Sequence, residues 1–236
     1  MIDVHSHVLP QVDDGSSSME ETIGMLSLVY EQGIRTVFAT PHYHQGRHQY
    51  SKTELYETLE TVREAIKDEL PGLFLLLGQE ILYFDGICDA LKAGEALTMG
   101  DSRAVLVEFR CADSWNTIFQ GIRKLLYARY IPIIAHVERY QALREPGRLE
   151  ELIQAGAVIQ MNYSSLGGNF WNKDTHWCRN QVLEGRIHLL GTDAHNMGSR
   201  KPDLSGAMKW LDKKCPAGLV QAMTEIKARK LLLSQK

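Results

Sequence analysis

Seven short runs rich in aliphatic and β-branched residues, at positions 1–7, 36–40, 73–77, 104–109, 131–135, 158–161 and 187–190, alternate with stretches of helical periodicity along a chain of 236 residues. Strands separated by helices are brought back parallel by the crossover, so this pattern commits the chain to an α/β domain around a buried parallel sheet. With 44% of residues hydrophobic there is ample material for its core. No linker, internal repeat or low-complexity tract interrupts the alternation, and a single domain over residues 1–236 is expected.

The helices are marked by their ends. Ser17 with Glu20, Ser18 with Glu21, and Ser51 with Glu54 have the spacing of capping boxes. Behind them Ile23, Leu26, Val29 and Tyr30, then Leu55, Leu59, Val62 and Ile66, recur at helical intervals. Gly33, Gly156 and Gly185 stand where a left-handed C-terminal cap belongs. Further helices are expected over 115–130, 146–155 and 175–183. From Leu204 the chain reads as helical or turn-like, with a basic, frayed end over 227–236.

What sits at the strand ends narrows the architecture. The first run closes on His5 and His7, and on an extended backbone residues i and i+2 project from one face. A polar loop with Asp13 and Asp14 follows. Later runs deliver His42 and His44, Glu80, Glu108, His136, and finally Asp193 and His195. An open doubly wound sheet gathers ligand groups from a few strands at its switch point, whereas a barrel gathers them from the C-terminal ends of many. The pattern therefore favours a distorted (β/α)7 TIM-like barrel.

Of the nine histidines, His48, His176 and His188 lie in a loop, a helix and the start of a strand, where a solvated or core role suffices. His5, His7, His42, His136 and His195 share one face with Asp14, Glu80, Glu108 and Asp193. So many ionisable groups together shift one another's protonation unless a cation neutralises them. Nitrogen and oxygen ligands without thiolate suit manganese, iron or zinc. Arg139 and Arg200, three and five residues beyond His136 and His195, are placed to clamp phosphate oxygens, and metals with arginines point to phosphoryl chemistry.

Cys88, Cys111, Cys178 and Cys215 form no C-x-x-C pair and no C-x5-R loop, so a thiolate nucleophile and a disulfide framework are not expected. The formal charge of −3 gives no basic field for nucleic acid. The sequence has no basic n-region with an apolar h-region, and no apolar run nears the roughly 20 residues of a membrane span. A cytoplasmic protein without membrane insertion is expected.

The motifs Asp3-Val4-His5-Ser6-His7, Asp13-Asp14-Gly15, Thr40-Pro41-His42, Gly78-Gln79-Glu80, Ala135-His136-Val137-Glu138-Arg139-Tyr140 and Gly191-Thr192-Asp193-Ala194-His195 resemble those of the polymerase-and-histidinol-phosphatase (PHP) superfamily. In particular they are similar to its branch of bacterial manganese-dependent tyrosine-protein phosphatases of capsule and exopolysaccharide synthesis. The resemblance runs from residue 3 to residue 200, in the family's order. It implies a distorted seven-stranded barrel and three metal ions, manganese first among the candidates, with iron or zinc possible. His5, His7, Glu80 and Asp193 would hold the first; Glu80, Glu108 and His136 the second; Asp14, His42 and His195 the third. Arg139 and Arg200 would bind phosphate. Val137 stands where proline is usual, and the loop over 167–171 has no counterpart in the pattern.

The mechanism expected from this set is in-line attack on phosphorus by a metal-bound hydroxide, without a cysteine and without a covalent phosphoenzyme. A phenolate leaving near pKa 10 needs no strong general acid. Of Tyr43, Tyr83, Phe84, Tyr140, Tyr163, Phe170 and Trp171, one or two are expected at the mouth of the site. The resemblance further implies a phosphotyrosine protein as partner, the tail of a bacterial tyrosine kinase. Three other readings compete: a phosphatase of a small ester such as histidinol phosphate; an amidohydrolase, whose bridging lysine is replaced here by Glu80; and a metal-dependent regulatory module without turnover, against which the intact ligand set argues.

Overall fold

The computed structural model describes residues 1–47, 50–169 and 171–233; His48, Phe170 and residues 234–236 of the expected frayed end lie outside the described residues. Nine strand segments form its wall: β1 (Ile2–Ser6), β2 (Thr36–Ala39), β3 (His42–Tyr43), β4 (Phe74–Leu77), β5 (Glu80–Leu82), β6 (Ala104–Glu108), β7 (Ile131–Ile134), β8 (Val158–Asn162) and β9 (Leu189–Gly191). They belong to a three-stranded sheet β1-β2-β4 and a six-stranded sheet β3-β5-β6-β7-β8-β9, parallel throughout.

The seven expected strands are all present, two of them broken. β3 continues β2 across Thr40-Pro41, where proline has no N–H to give to a ladder. β5 continues β4 across Gly78-Gln79. At the breaks the chains stay stitched, the Thr40 N–H donating to the Ser6 carbonyl (2.8 Å) and the Glu80 N–H to the Pro41 carbonyl (3.2 Å). β9 returns to β1: the Asp193 N–H donates to the His5 carbonyl (2.7 Å), and the His7 N–H to the Ala194 carbonyl (2.8 Å). The curled sheet thus closes as a distorted barrel. The seam between β4 and β6 is filled by the Met99-Gly100 turn, which packs closely on Gly78: a Cβ there would lie 2.6 Å from the Met99 sulfur and 3.3 Å from its Cα, so the methionine side chain would have to shift.

Helices α1 (Met19–Glu31), α2 (Lys52–Ile66), α3 (Ile87–Ala93), α4 (Trp115–Tyr127), α5 (Arg148–Ala155), α6 (Lys173–Leu183), α7 (Ser205–Lys214) and α8 (Ala217–Gln221) follow in chain order. Of the two serines competing to cap α1, Ser18 takes the Glu21 N–H (3.2 Å), while the Glu21 carboxylate reaches back to Ser17 N–H (2.9 Å). α2 carries the full capping box, Ser51 Oγ accepting from Glu54 N–H (3.2 Å) and Glu54 Oε2 from Ser51 N–H (2.8 Å). α3 has no side-chain cap, which is why its seven residues escape a reading based on caps.

One apolar cluster fills the space between strands and helices. A second joins Ile2, Val4, Phe38, Met99, Leu106, Ile133 and Leu189 with Ala228 and Leu232. The frayed end expected over 227–236 is thereby corrected as far as residue 233: Arg229–Leu233 is helical, Ala228 is fully buried and Leu232 is 6% exposed. Residues four apart share a helix face, and this one meets the strands. Among the described residues no helix is long and apolar enough to cross a membrane.

His188 is half-buried and satisfied. Its Nδ1 accepts the Ile159 N–H (3.0 Å), and burial, helped by the nearby Lys227 ammonium, holds its pKa down at about 4. Two outcomes follow from the packing. Leu232→Ala should cost about 2 kcal/mol or more in urea denaturation; a frayed end would cost nothing. Because the His188 pKa is depressed from about 6.5 in the unfolded chain, its contribution to stability is complete above that value and is lost as pH falls toward 4. His188→Asn, which keeps an acceptor for Ile159, should therefore lose less stability than the parent between pH 6.5 and 4 in thermal melts.

Candidate metal centre

The end of β1 is fixed before any ligand is considered. The buried Asp3 carboxylate accepts the His5 N–H (3.2 Å), the Thr192 N–H (2.9 Å) and the Thr192 hydroxyl (2.6 Å), tying β1 to the chain beyond β9. Burial pushes this carboxyl up to about 6, against the pull of those Thr192 bonds. Beyond the tie, His5 and His7 turn their imidazoles to the same side, with Nε2 atoms 3.2 Å apart.

Glu80 is the hub. Its Oε2 lies 3.3 Å from His5 Nε2, 3.3 Å from His7 Nε2 and 3.1 Å from His42 Nδ1, and its Oε1 lies 2.7 Å from His136 Nε2. Burial, the largest single influence, would raise this carboxyl; the imidazoles of His5, His136 and His42 together outweigh it and hold the group well below its ordinary range.

Around Glu80 the expected residues fall into groups whose donor atoms lie within 4.8 Å of one another: His7, Asp14, His42 and His195; His5, His7 and Asp193; Glu80, Glu108 and His136. All nine expected ligands are thus brought together. A further group, His42, His44 and Glu108, adds a histidine that the expected ligand set leaves out. Of the remaining histidines, His176 contacts Asn180 on its own helix. Cys88 and Cys178 are buried, Cys215 is half-buried and Cys111 is exposed; all four are free, and none belongs to these groups.

The imidazoles are aimed from behind. His7 Nδ1 faces Asp13 Oδ2 (2.7 Å), His136 Nδ1 faces the Tyr140 hydroxyl (3.3 Å), and His195 Nδ1 faces the Asp193 carbonyl (3.0 Å). A ring that donates from Nδ1 presents an unprotonated Nε2 on its far side. His195 Nε2 is buried without a hydrogen-bond partner, 3.4 Å from Asp14 Oδ1. Buried nitrogen lone pairs facing carboxylates, with no thiolate, are a donor set that fits divalent cations.

The backbone also departs from ease here. His136 (φ 30°) and Asp193 (φ 50°) sit in the left-handed region, which costs a non-glycine residue energy and persists where surroundings over-determine it. Arg139 and Arg200 converge on Asp193. Arg139 Nη2 bonds Oδ2, Arg200 Nη2 bonds Oδ1 at 2.9 Å, and Arg200 Nη1 lies 3.9 Å from Asp14 Oδ2. Both side chains remain 36% exposed, and each carries N–H donors beyond the one given to Asp193.

Several contributors are invisible to the strand-end pattern. Asp13, beside the candidate ligand Asp14, turns inward and takes the Gly15 N–H (2.9 Å) and the His42 N–H (2.9 Å) as well as His7. Burial would raise its carboxyl, but His7 and these bonds hold it far below the ordinary range. A Cβ on Gly15 would fall 2.3 Å from the His7 carbonyl, so the Asp-Asp-Gly turn admits glycine alone. The aromatic expectation divides. Tyr43, Tyr140 and Tyr163 are buried, Tyr83 stacks on Phe109 and Phe84 on Tyr43, while Trp171 is 85% exposed on the loop after β8.

Known proteins resemble this chain in sequence and fold. The family profile described as capsular polysaccharide synthesis, CpsB/CapC, matches residues 1–233. The tyrosine-protein phosphatase CpsB of Streptococcus pneumoniae is 33% identical over 241 residues, covering 100% of this chain and 99% of that one. The tyrosine-protein phosphatase YwqE of Bacillus subtilis is 33% identical over 227 residues, covering 95% and 89%. A solved structure from work on YwqE of B. subtilis and CpsB of S. pneumoniae, described as unique metal-dependent tyrosine phosphatases, superposes with a TM-score of 0.91 at 31% identity, covering 100% of this chain and 96% of that one.

Removing the carboxylate that orients His7 should loosen the centre without touching a donor atom. Asp13→Ala is expected to bind Mn2+ about 10- to 100-fold more weakly in calorimetric titration. An unaltered affinity would mean that Asp13 only shapes its loop.

Proposed function

The chain belongs to the capsular polysaccharide synthesis CpsB/CapC family, and we propose that it is a metal-dependent phosphatase of tyrosine-phosphorylated proteins that works without a cysteine nucleophile. The observation that carries this reading is the single buried carboxylate of Glu80 among four imidazoles, bordered by two arginines on Asp193. His5, His7, Glu80 and Asp193 would hold one divalent ion. Glu80, Glu108 and His136 would hold a second, and Asp14, His42 and His195 a third, manganese being the first candidate. Such ions supply the Lewis acidity that makes a water nucleophile available near neutral pH and offsets charge on phosphoryl oxygens.

The protein's own groups do the rest. Arg139 and Arg200 each spend one nitrogen on Asp193 and keep further donors for phosphate oxygens, holding phosphorus in line for attack as equatorial charge builds. Asp193, pinned by both guanidinium groups, couples phosphate binding to the ligand set. A phenolate departs readily enough that no side chain need protonate it. The substrate in this reading is the phosphotyrosine tail of a bacterial tyrosine kinase, met in the cytoplasm. The small-ester reading has no particular residue in its favour.

The test is hydrolysis of p-nitrophenyl phosphate, a phosphotyrosyl peptide and histidinol phosphate by the purified protein. Activity is expected to vanish on chelation and return with Mn2+, and the peptide should be preferred to histidinol phosphate. Preference for the alcohol ester would overturn the tyrosine reading. Arg200→Ala should raise KM or lower kcat by about 10-fold or more while metal content by elemental analysis stays near that of the parent. Equal loss of both would make Arg200 a structural residue.

A further inference from the structure

Six of the seven strands carry a histidine or a carboxylate at their C-terminal end or within two residues of it, whereas β8 ends in Asn162. Two residues before it, on the same side of the strand, stands Gln160. Both are buried, Gln160 completely and Asn162 to 4% exposure, and a buried amide has to find partners for its donors and its acceptor. The partners they find belong to the candidate ligands of three other strands.

Gln160 Oε1 faces His5 Nδ1 (3.2 Å) and accepts the His136 backbone N–H (2.6 Å). Its amide donates to Asn162 Oδ1 (3.0 Å), and Asn162 Nδ2 donates to Asp193 Oδ2 (2.8 Å), the oxygen that also receives Arg139. The direction of this chain is set by chemistry. Asp193 can only accept, so Asn162 turns its NH2 toward it. Asn162 then offers its oxygen to Gln160, which must donate there and accept on its other side. His5 Nδ1 therefore carries the proton, and its Nε2 presents a lone pair to Glu80 and His7. The same Gln160 oxygen anchors the amide of His136, whose φ of 30° needs an outside constraint. Gly191 makes room: a Cβ there would lie 2.7 Å from His5 Cβ and 3.0 Å from Gln160 Nε2.

We propose that Gln160 and Asn162 are positioning residues. They form an amide relay on the strand that donates no ligand, and it sets the tautomer of His5, the backbone of His136 and the aim of Asp193. The relay links two of the metal groups through one direction of hydrogen bonding. Asn162 is held in turn by Glu138, whose Oε1 accepts the Asn162 N–H (3.1 Å) and the Ser165 hydroxyl (2.8 Å), so the relay is anchored outside the ligand set. This inference rests on the metal centre described under the proposed function, and its test separates the two.

The experiment measures Mn2+ affinity and stoichiometry by calorimetric titration of the full chain. Thermal melts with and without Mn2+ and kcat on p-nitrophenyl phosphate accompany it. Gln160→Met keeps the volume and removes both the acceptor and the donor; it should bind Mn2+ about 10- to 100-fold more weakly. Gln160→Glu restores the acceptor toward His5 and His136 but not the donor toward Asn162, so it should recover only part, about threefold or more, of the affinity that the methionine variant loses. Asn162→Ala spares His5 and should weaken binding through Asp193, which keeps the relay testable if the methionine variant does not fold. A parent protein that binds no Mn2+ would defeat the metal centre itself. If the parent binds and every variant matches it, or if the glutamate variant loses as much as the methionine variant, the relay is wrong. Melting points lowered equally with and without Mn2+ at unchanged affinity would make both residues merely structural.

Discussion

The structure turns on the burial of a carboxylate among imidazoles. Glu80 is 1% exposed and within 3.3 Å of four histidine nitrogens, a crowd that no short stretch of chain could assemble and that water could not solvate. A closed parallel barrel meets the demand because each strand end brings a small number of side chains to one rim, on backbone already satisfied by its neighbours. The breaks in the second and third strands belong to the same solution. By stepping at Thr40-Pro41 and Gly78-Gln79, the wall brings His42 into register with Glu80. The strained backbones of His136 and Asp193 are tolerated because ladders, arginines and the β8 amides hold them from several sides.

How much of this could be read from the chain depends on how local each cause is. The strands, the two capped helices and the nine rim residues were legible because alternation, capping spacing and strand termini are short-range patterns. His5 and His7 declare their shared face within three residues. Helix α3 lacks any capping side chain and was not legible, and the packing of Ala228 and Leu232 depends on residues of strands as distant in sequence as β1. Asp13 looked like a twin of Asp14, yet one turns inward to His7 and the other is largely exposed; only the three-dimensional turn at Gly15 separates them. Gln160 and Asn162 are ordinary amides in sequence, and their meaning comes from partners on other strands.

Membership of the CpsB/CapC family joins these local and non-local parts into one reading. The arginines illustrate the dependence. Neither would suggest phosphate alone, since loop arginines are commonly solvated. Here both are directed by Asp193, itself directed by Asn162, so the two guanidinium groups, the candidate ligands and the hydrogen bonds behind them form one connected body.

The tie between Asp3 and Thr192, 189 residues apart, has a consequence for how the molecule comes into being. His5 and His7 lie on and just past the first strand and Asp193 and His195 beyond the last, so the four cannot meet until nearly the whole barrel has folded. Contacts of such long range are formed late and slowly. An incompletely folded chain therefore holds only fragments of the candidate ligand set, which is complete only once the last strand closes on the first. Under the proposed function, divalent ions would then favour the closed form by mass action, coupling ring closure to loading.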